Sequence, residues 1–458
     1  MAESNPSIAD TANNANHTSE TNQSHKQPTR PGRLATTVRA LRHRNFQLFF
    51  AGQLISLIGT WMQTVAELWL VYRLTGSSLM LGIVGFAAQF PVFLLAPLGG
   101  TVADRYNRHR IVITTQTSAM ILAGIYAALI LGGWIRVWEI VVLASLLGVV
   151  NAFDLPARHA FLVEMVGNED LLNSIALNSS MFNGARVIGP AIAGILVASI
   201  GEGWCFFANS ASFIAVIIGL LLMKVTPRET AGHGSMFEHI AEGFRYVRHT
   251  MPVRMLLLLI GLVSLVGMPY TVLMPIFADR ILHVGARGLG LLMGASGVGA
   301  VAGALTLAAR SGVRGLERLA ALAAGGFGAS LIVFAVSRRL WFSLVILVPV
   351  GFSLMLQTAC SNTLIQTMVP DRLRGRVMSL YSMMFMGMAP LGALLGGALA
   401  SRVGAPWTVA CGGALSTVGA LLFYLRLPAL QVETLRLIVA REAELGVPSV
   451  EQTMPGAS

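Results

Sequence analysis

Residues 165–204 read MVGNEDLLNSIALNSSMFNGARVIGPAIAGILVASIGEGW, and residues 368–407 read MVPDRLRGRVMSLYSMMFMGMAPLGALLGGALASRVGAPW. The second stretch repeats the first at an offset of 203 residues. Met165/Met368, Leu177/Leu380, Met181/Met384, Phe182/Phe385, Gly184/Gly387, Gly189/Gly392, Gly194/Gly397, Gly201/Gly404 and Trp204/Trp407 are identical pairs. Apolar composition alone matches scattered Leu and Gly, but it does not bring two tryptophans into register. Each copy holds two apolar runs, and a run of about 20 residues is enough to span a bilayer. A fixed period of this kind marks a duplicated unit.

Outward from the repeat, similar runs follow one another from Phe46. The spacing predicts helices over 46–72, 78–103, 111–133, 137–155, 174–200 and 203–223. After a polar gap it predicts 254–278, 287–309, 317–337, 340–366, 376–401 and 405–426. That is twelve, six on each side of the gap. The gap carries Phe237, Ile240, Phe244 and Val247 at helical spacing among charges, which predicts an amphipathic helix lying on the membrane surface. Residues 1–37 are polar and rich in Asn, Ser and Thr, and read as a disordered cytoplasmic tail. Residues 38–224 form one six-helix half, 225–252 the cytoplasmic linker, 253–426 the second half and 427–458 a cytoplasmic tail with a short surface helix.

Composition agrees. The 458 residues are 55% hydrophobic and 12% charged, with a mean hydropathy of +0.69. A soluble domain carries about a quarter charged residues and could not cover so much apolar surface with so few. The same figures exclude disordered, collagenous and disulfide-scaffold chains. The net charge of +11 would suggest nucleic acid in a soluble chain. Here Lys and Arg collect in loops: 24 of the 32 fall on the side of the amino terminus, seven on the other, and Arg186 lies inside a run. That bias predicts both termini in the cytoplasm, and no nucleic-acid partner. Cys205, Cys360 and Cys411 sit in apolar runs without metal or disulfide spacing, and the histidines form no ligand motif. No metal, cofactor or enzymatic constellation is expected.

The fold class is therefore an all-α membrane protein, twelve transmembrane helices in two parallel six-helix pseudo-repeats. Such halves suit a rocking transporter with its substrate site between them near the midplane. Ionisable residues at bilayer depth are costly and are functional candidates by default. Two lie deep, Glu67 in the first run and Arg186 in the fifth, and at the 203 offset they meet Tyr270 and Ala389. Gln63, Asn183, Tyr270 and Gln357 can add hydrogen bonds in a cavity or serve as helix–helix contacts. Asp154, Asp279 and Arg280 lie near helix ends, where snorkelling and gating are both open to them.

The loop after the second run reads Gly100-Thr-Val-Ala-Asp104-Arg105-Tyr-Asn-Arg108-His-Arg110. It resembles the signature loop of the major facilitator superfamily, with Val102, Asn107 and His109 departing from the pattern. The fifth run carries Gly189-Pro190-Ala-Ile-Ala193-Gly194, similar to a stretch of that superfamily's drug–proton antiporters, though plain helix packing explains the glycines equally well. The stretches LRHRNFQLFFAGQLISLIGTWM, NAFDLPARHAFLVEMV and VPDRLRGRVMSLY resemble the branch holding enterobactin-type exporters, macrolide efflux proteins and transmembrane secretion transporters.

The resemblance covers residues 38–426. It implies the major facilitator fold in a bacterial inner membrane and proton-driven efflux of a small organic molecule, a siderophore, drug or secondary metabolite. The partners expected are that substrate, protons and the bilayer, with the protein a monomer. Gating is expected from Asp104 facing the amino-terminal end of the eleventh helix near Gly375-Arg376-Val377, and from Arg105, Arg108 and Arg110 pairing with Asp154 beside Arg158, contacts that hold the halves together when the site faces outward and break when it faces inward. The arginines also serve as topology anchors on a plainer reading. A nutrient symporter and a non-transporting scaffold or receptor on the same fold are the alternatives.

Overall fold

The computed structural model describes residues 39–167, 169–224, 236–310 and 312–444. The amino-terminal tail, part of the linker and the end of the carboxy-terminal tail lie outside the described residues. Twelve helices long and apolar enough to span a membrane account for most of the rest: α1 Arg44–Thr75, α2 Ser78–Arg105, α3 Arg108–Leu131, α4 Val137–Val166, α5 Leu171–Ile200, α6 Glu202–Leu221, α7 Met251–Ile281, α8 Gly285–Ala308, α9 Leu316–Val336, α10 Leu340–Met368, α11 Asp371–Val403 and α12 Ala405–Leu425. The linker carries a helix over Met236–His249, and a tail helix over Leu427–Glu444 follows α12. Because the spans are even in number, both ends of the described chain lie at one face, called here the termini face. The other is the far face.

Two boundaries depart from expectation. The fourth helix does not stop at 155 but runs through Pro156 to Val166. Pro156 forfeits one backbone bond, yet the segment beyond it buries Phe161, Leu162 and Met165, and that packing carries the helix onward. The eleventh helix starts at Asp371, five residues before the expected 376. Pro370 precedes it and an acidic residue opens its first turn, a favourable start for a helix.

The duplication is visible in the backbone. Gly201 and Gly404, equivalent by the 203 offset, turn the chain from α5 to α6 and from α11 to α12 with φ of +92° and +88°. Only glycine adopts such angles without strain. Each half donates one of these equivalent helices to the other. Helix α5 crosses α8, and α11 crosses α2. A Cβ on Gly194 would lie 3.1 Å from the Cα of Gly290, and one on Gly397 would lie 2.8 Å from the Cα of Gly82. Small residues at such crossings let backbones touch, which is how helices associate without a hydrophobic driving force in lipid. Both crossings are nearer the far face.

The outer surface suits lipid. Leu, Ile and Val side chains are exposed all along the spans, and five of the seven tryptophans (Trp134, Trp138, Trp204, Trp341 and Trp407) are exposed near the far-face ends of their helices. Tryptophan gathers at the membrane–water boundary because its ring is apolar and its N–H is not. The chain is a multi-pass membrane protein.

Candidate functional site

A cavity of about 240 Å³ lies between the halves, below the two glycine crossings. The first half lines it with Trp61, Thr64 and Glu67 of α1, Gln89 of α2, and Arg186 and Pro190 of α5. The second half supplies Tyr270 of α7, Ser296 of α8 and three methionines, Met268, Met274 and Met293. Glu67, Arg186 and Tyr270, distant in sequence, share one wall-to-wall space. At 1.5 Å per residue, Glu67 sits about 12 Å and Arg186 about 21 Å below the far-face ends of their helices. The methionines are flexible and polarisable, so they adapt to a ligand's shape rather than dictate it.

Arg186 has no carboxylate within ion-pair distance among the described residues. Its guanidinium lies over the ring of Trp61, 5.6 Å from the centroid. A cation–π contact offsets part of the cost of removing a guanidinium from water, but it does not neutralise the charge. Glu67 reaches the other way, toward Tyr126 of α3, whose hydroxyl is 2.9 Å from Oε1. The Tyr270 hydroxyl is 3.0 Å from Ser296 Oγ, so it is held within its own half.

The remaining polar candidates do not line the cavity. Gln63 is buried between α1 and α6, where it accepts a 2.6 Å bond from Asn209. Asn183 donates to the Ser179 carbonyl one turn back on its own helix. Gln357 is wholly buried in the second half, and its amide is 3.4 Å from Ser361 Oγ. Of the helix α5 motif, Pro190 reaches the cavity, Gly189 packs against α1 beside Trp61, and Gly194 meets α8.

Among the described residues, the loop at the termini face makes none of the contacts expected of the outward-facing state. Asp104 is exposed, and its ion-pair partner is Arg108 of its own helix pair at 3.7 Å rather than the start of α11. Arg108 instead donates to Glu164 at 2.8 Å, and Arg105 and Arg110 are exposed. Asp154 is occupied by Arg158, by the Thr115 hydroxyl at 2.7 Å and by the Gln116 amide at 3.0 Å, which leaves it closed to the loop arginines. Arg376 pairs with Glu242 of the linker helix, which also takes Arg372 at 3.4 Å. Because α11 begins at Asp371, Gly375-Arg376-Val377 lies in its second turn and offers no free amide end to an anion.

Polar contacts between the halves are found at the far face. The Tyr72 hydroxyl of α1 donates to Asp279 of α7 at 2.7 Å. Arg280 donates to the Gly76 carbonyl at 2.8 Å and lies 5.8 Å from the centre of the Tyr72 ring. Asp279 and Arg280 occupy a π-helical turn, Phe277–Ile281, which rotates both toward α1. With the glycine crossings, this clasp joins the two halves at the far face. The sequence marks both residues as end charges, but nothing in it pairs them with Tyr72. Tyr126 and Trp61 contact Glu67 and Arg186, and sequence reasoning does not find them, since an aromatic in an apolar run looks like ordinary packing.

Comparison with known proteins supports this architecture. The chain is 26% identical over 350 residues to the staphyloferrin A transporter of Staphylococcus aureus, covering 76% of this chain and 87% of that one. It is 28% identical over 362 residues to the multidrug efflux pump Tap of Mycolicibacterium fortuitum, again 76% and 87%. A crystal structure of a peptide transporter superposes with a TM-score of 0.68 at 12% identity, covering 85% of this chain and 95% of that one, a likeness of fold alone. The model of the transmembrane secretion effector family matches residues 35–450. With the twelve-helix duplicated fold and a ligand-sized cavity between its halves, the chain belongs to the transmembrane secretion effector family of the major facilitator superfamily, secondary transporters rather than enzymes.

Proposed function

We propose that the protein exports a small organic molecule carrying at least one negative charge, of siderophore, drug or secondary-metabolite type, in exchange for protons. The observation that carries the reading is the pairing of unlike groups on one cavity: Arg186, a fixed cation without a carboxylate partner among the described residues, and Glu67, a group able to gain and lose a proton. Arg stays charged at any physiological pH, so an anion entering the cavity gains the interaction that the fold withholds. The Trp61 ring and the methionines supply an apolar bed for the body of the molecule. The printed names of the two relatives, one a siderophore transporter and one a drug pump, support this class of cargo.

In this reading the termini face is cytoplasmic, in keeping with its excess of Arg and Lys, and the membrane is a bacterial inner membrane. The conformation described is then inward-facing, with the far-face clasp closed toward the periplasm. Asp104 faces water because its partners across the halves engage in the opposite conformation. The gating roles of Asp104, Arg105, Arg108, Arg110, Asp154, Arg158 and Arg376 belong to that switch. The monomer is the working unit, since one chain supplies every wall of the cavity.

The test is transport into everted membrane vesicles with and without an uncoupler. Export with proton exchange predicts accumulation that collapses when the proton gradient is dissipated. Uptake in right-side-out vesicles alone would favour the nutrient symporter. Reporter fusions at Arg108, Arg245 and Arg374 are expected to read cytoplasm, and those at Gly76, Gly201 and Gly285 periplasm.

A further inference from the structure

Tyr126 is hydrogen-bonded to Glu67, and the exchange cycle leaves it without a task. Its side chain is fully buried, and its ring stacks on Phe206 with centroids 4.6 Å apart, so the hydroxyl has a fixed position. That hydroxyl is 2.9 Å from Glu67 Oε1 and 2.9 Å from the carbonyl oxygen of Ile140, in the first turn of α4. It therefore ties α1 to both α3 and α4.

The hydrogens can be counted. A phenol has one proton to give, and a backbone carbonyl can only accept. If Glu67 is a carboxylate, both neighbours of the hydroxyl are acceptors. The single O–H must then serve two acceptors, so one of the two 2.9 Å contacts has no hydrogen of its own. If Glu67 carries a proton, the conflict disappears. The carboxyl O–H donates to the tyrosine oxygen, and the tyrosine O–H donates to the Ile140 carbonyl. The groups that face Glu67 from the surrounding helices do not change this count. Gln89 of α2 and Ser296 of α8 are neutral, Tyr270 of α7 is turned to Ser296, and Arg186 of α5 makes no ion pair with Glu67. Protonation, not a counter-cation, satisfies the geometry.

We propose that Glu67, Tyr126 and the Ile140 carbonyl form a proton-reading chain: with the far-face clasp closed Glu67 holds a proton and hydrogen-bonds through it to Tyr126, and loss of that proton turns the Tyr126 O–H to the carboxylate and releases the Ile140 carbonyl of α4. Tyr126 is thus a positioning residue for the coupling step. No bond other than the carboxyl O–H is broken, and the proton leaves to water through the cavity. The inference rests on the proton-exchange reading above, which gives the released proton its purpose.

Infrared difference spectroscopy on the purified protein in lipid nanodiscs tests the chain without substrate. Across the mildly acidic to mildly alkaline range, the wild type is expected to show a protonated-carboxyl stretch that Glu67→Gln removes. In Tyr126→Phe the same band is expected to move to higher frequency, because the acid loses its acceptor. Glu67→Asp, one methylene too short to reach the hydroxyl, is expected to shift it likewise and serves if the Gln variant does not fold. Absence of a Glu67 band at every pH, or a band unmoved in Tyr126→Phe, overturns the chain. The transport readout separates the two ideas. Tyr126→Phe is expected to retain substrate binding while changing the pH profile of flux, and roughly tenfold in rate corresponds to one lost hydrogen bond. Flux that ignores an uncoupler, beside bands that behave as described, would sink the exchange reading and leave the chain standing.

Discussion

Removing one oxygen atom at the far face tests how the conformation is held. In Tyr72→Phe the ring remains, so the contact with the Arg280 guanidinium above it is kept, and the bond to Asp279 is lost. A hydrogen bond to a charged partner is worth about 1.5–3 kcal/mol. Tyr72 is 6% exposed while Asp279 is half-buried, which places the clasp at the lower end of that range. About 1.4 kcal/mol is a tenfold change in an equilibrium. The variant is therefore expected to raise the ratio of far-face-open to far-face-closed molecules roughly tenfold. Spin labels at Tyr106 and Ser379, exposed positions of opposite halves at the termini face, report this by pulsed electron resonance. The short-distance population should grow, with a matching separation between labels at Trp134 and Trp341 on the far face. Identical distance distributions in the variant and the wild type would show that the Tyr72–Asp279 bond is incidental, the halves being held by the glycine crossings and by Arg280.

Arg186→Leu is expected to abolish export in everted vesicles while Arg186→Lys retains part of it, because a point charge replaces a planar one; equal activity of Leu and wild type would remove Arg186 from the site. Gly194→Val places its Cβ and methyl groups against the backbone of α8, where even a Cβ would lie 3.0 Å from the Arg287 carbonyl oxygen. It is expected to keep the far face from closing, read as increased labelling of cavity cysteines from that side. Asp104→Asn is expected to lower export without lowering protein level, by about 0.3–1 kcal/mol of stabilisation of the opposite conformation, checked by the label pair at the termini face. Glu242→Gln is expected to loosen α11 from the linker helix, seen as faster proteolysis after Arg372 and Arg376.

Much of this architecture is legible in the sequence because lipid permits few solutions. Twelve apolar runs, the 203-residue offset and the amphipathic linker follow from length, period and charge alone. The cavity residues were legible in part. Glu67 and Arg186 stand out because ionised groups are rare at that depth, and Tyr270 falls opposite Glu67 in the repeat. Partners were not legible. Tyr126 lies 59 residues from Glu67, Asn209 lies 146 from Gln63, and Glu242 lies 134 from Arg376, so their meeting depends on helix rotation that apolar periodicity does not encode. The gate loop differs for a further reason: on the proposed inward-facing reading its expected contacts belong to the opposite conformation, and a sequence specifies both conformations at once.

Arg186 has one more consequence, an electrical one. A charge crossing the membrane field exchanges about 2.3 kcal/mol per 100 mV. On the proposed orientation the returning carrier, with Glu67 protonated and Arg186 bare, has a cavity charge of plus one and is drawn toward the negative interior. The exporting carrier, with Glu67 ionised and Arg186 masked by a substrate anion that adds its own charge, is minus one and is driven outward by the same voltage. Each half-cycle then runs with the membrane potential, and two elementary charges move per turn. A potassium diffusion potential, negative inside and imposed without any pH difference, is expected to accelerate export, and one of opposite sign to stall it.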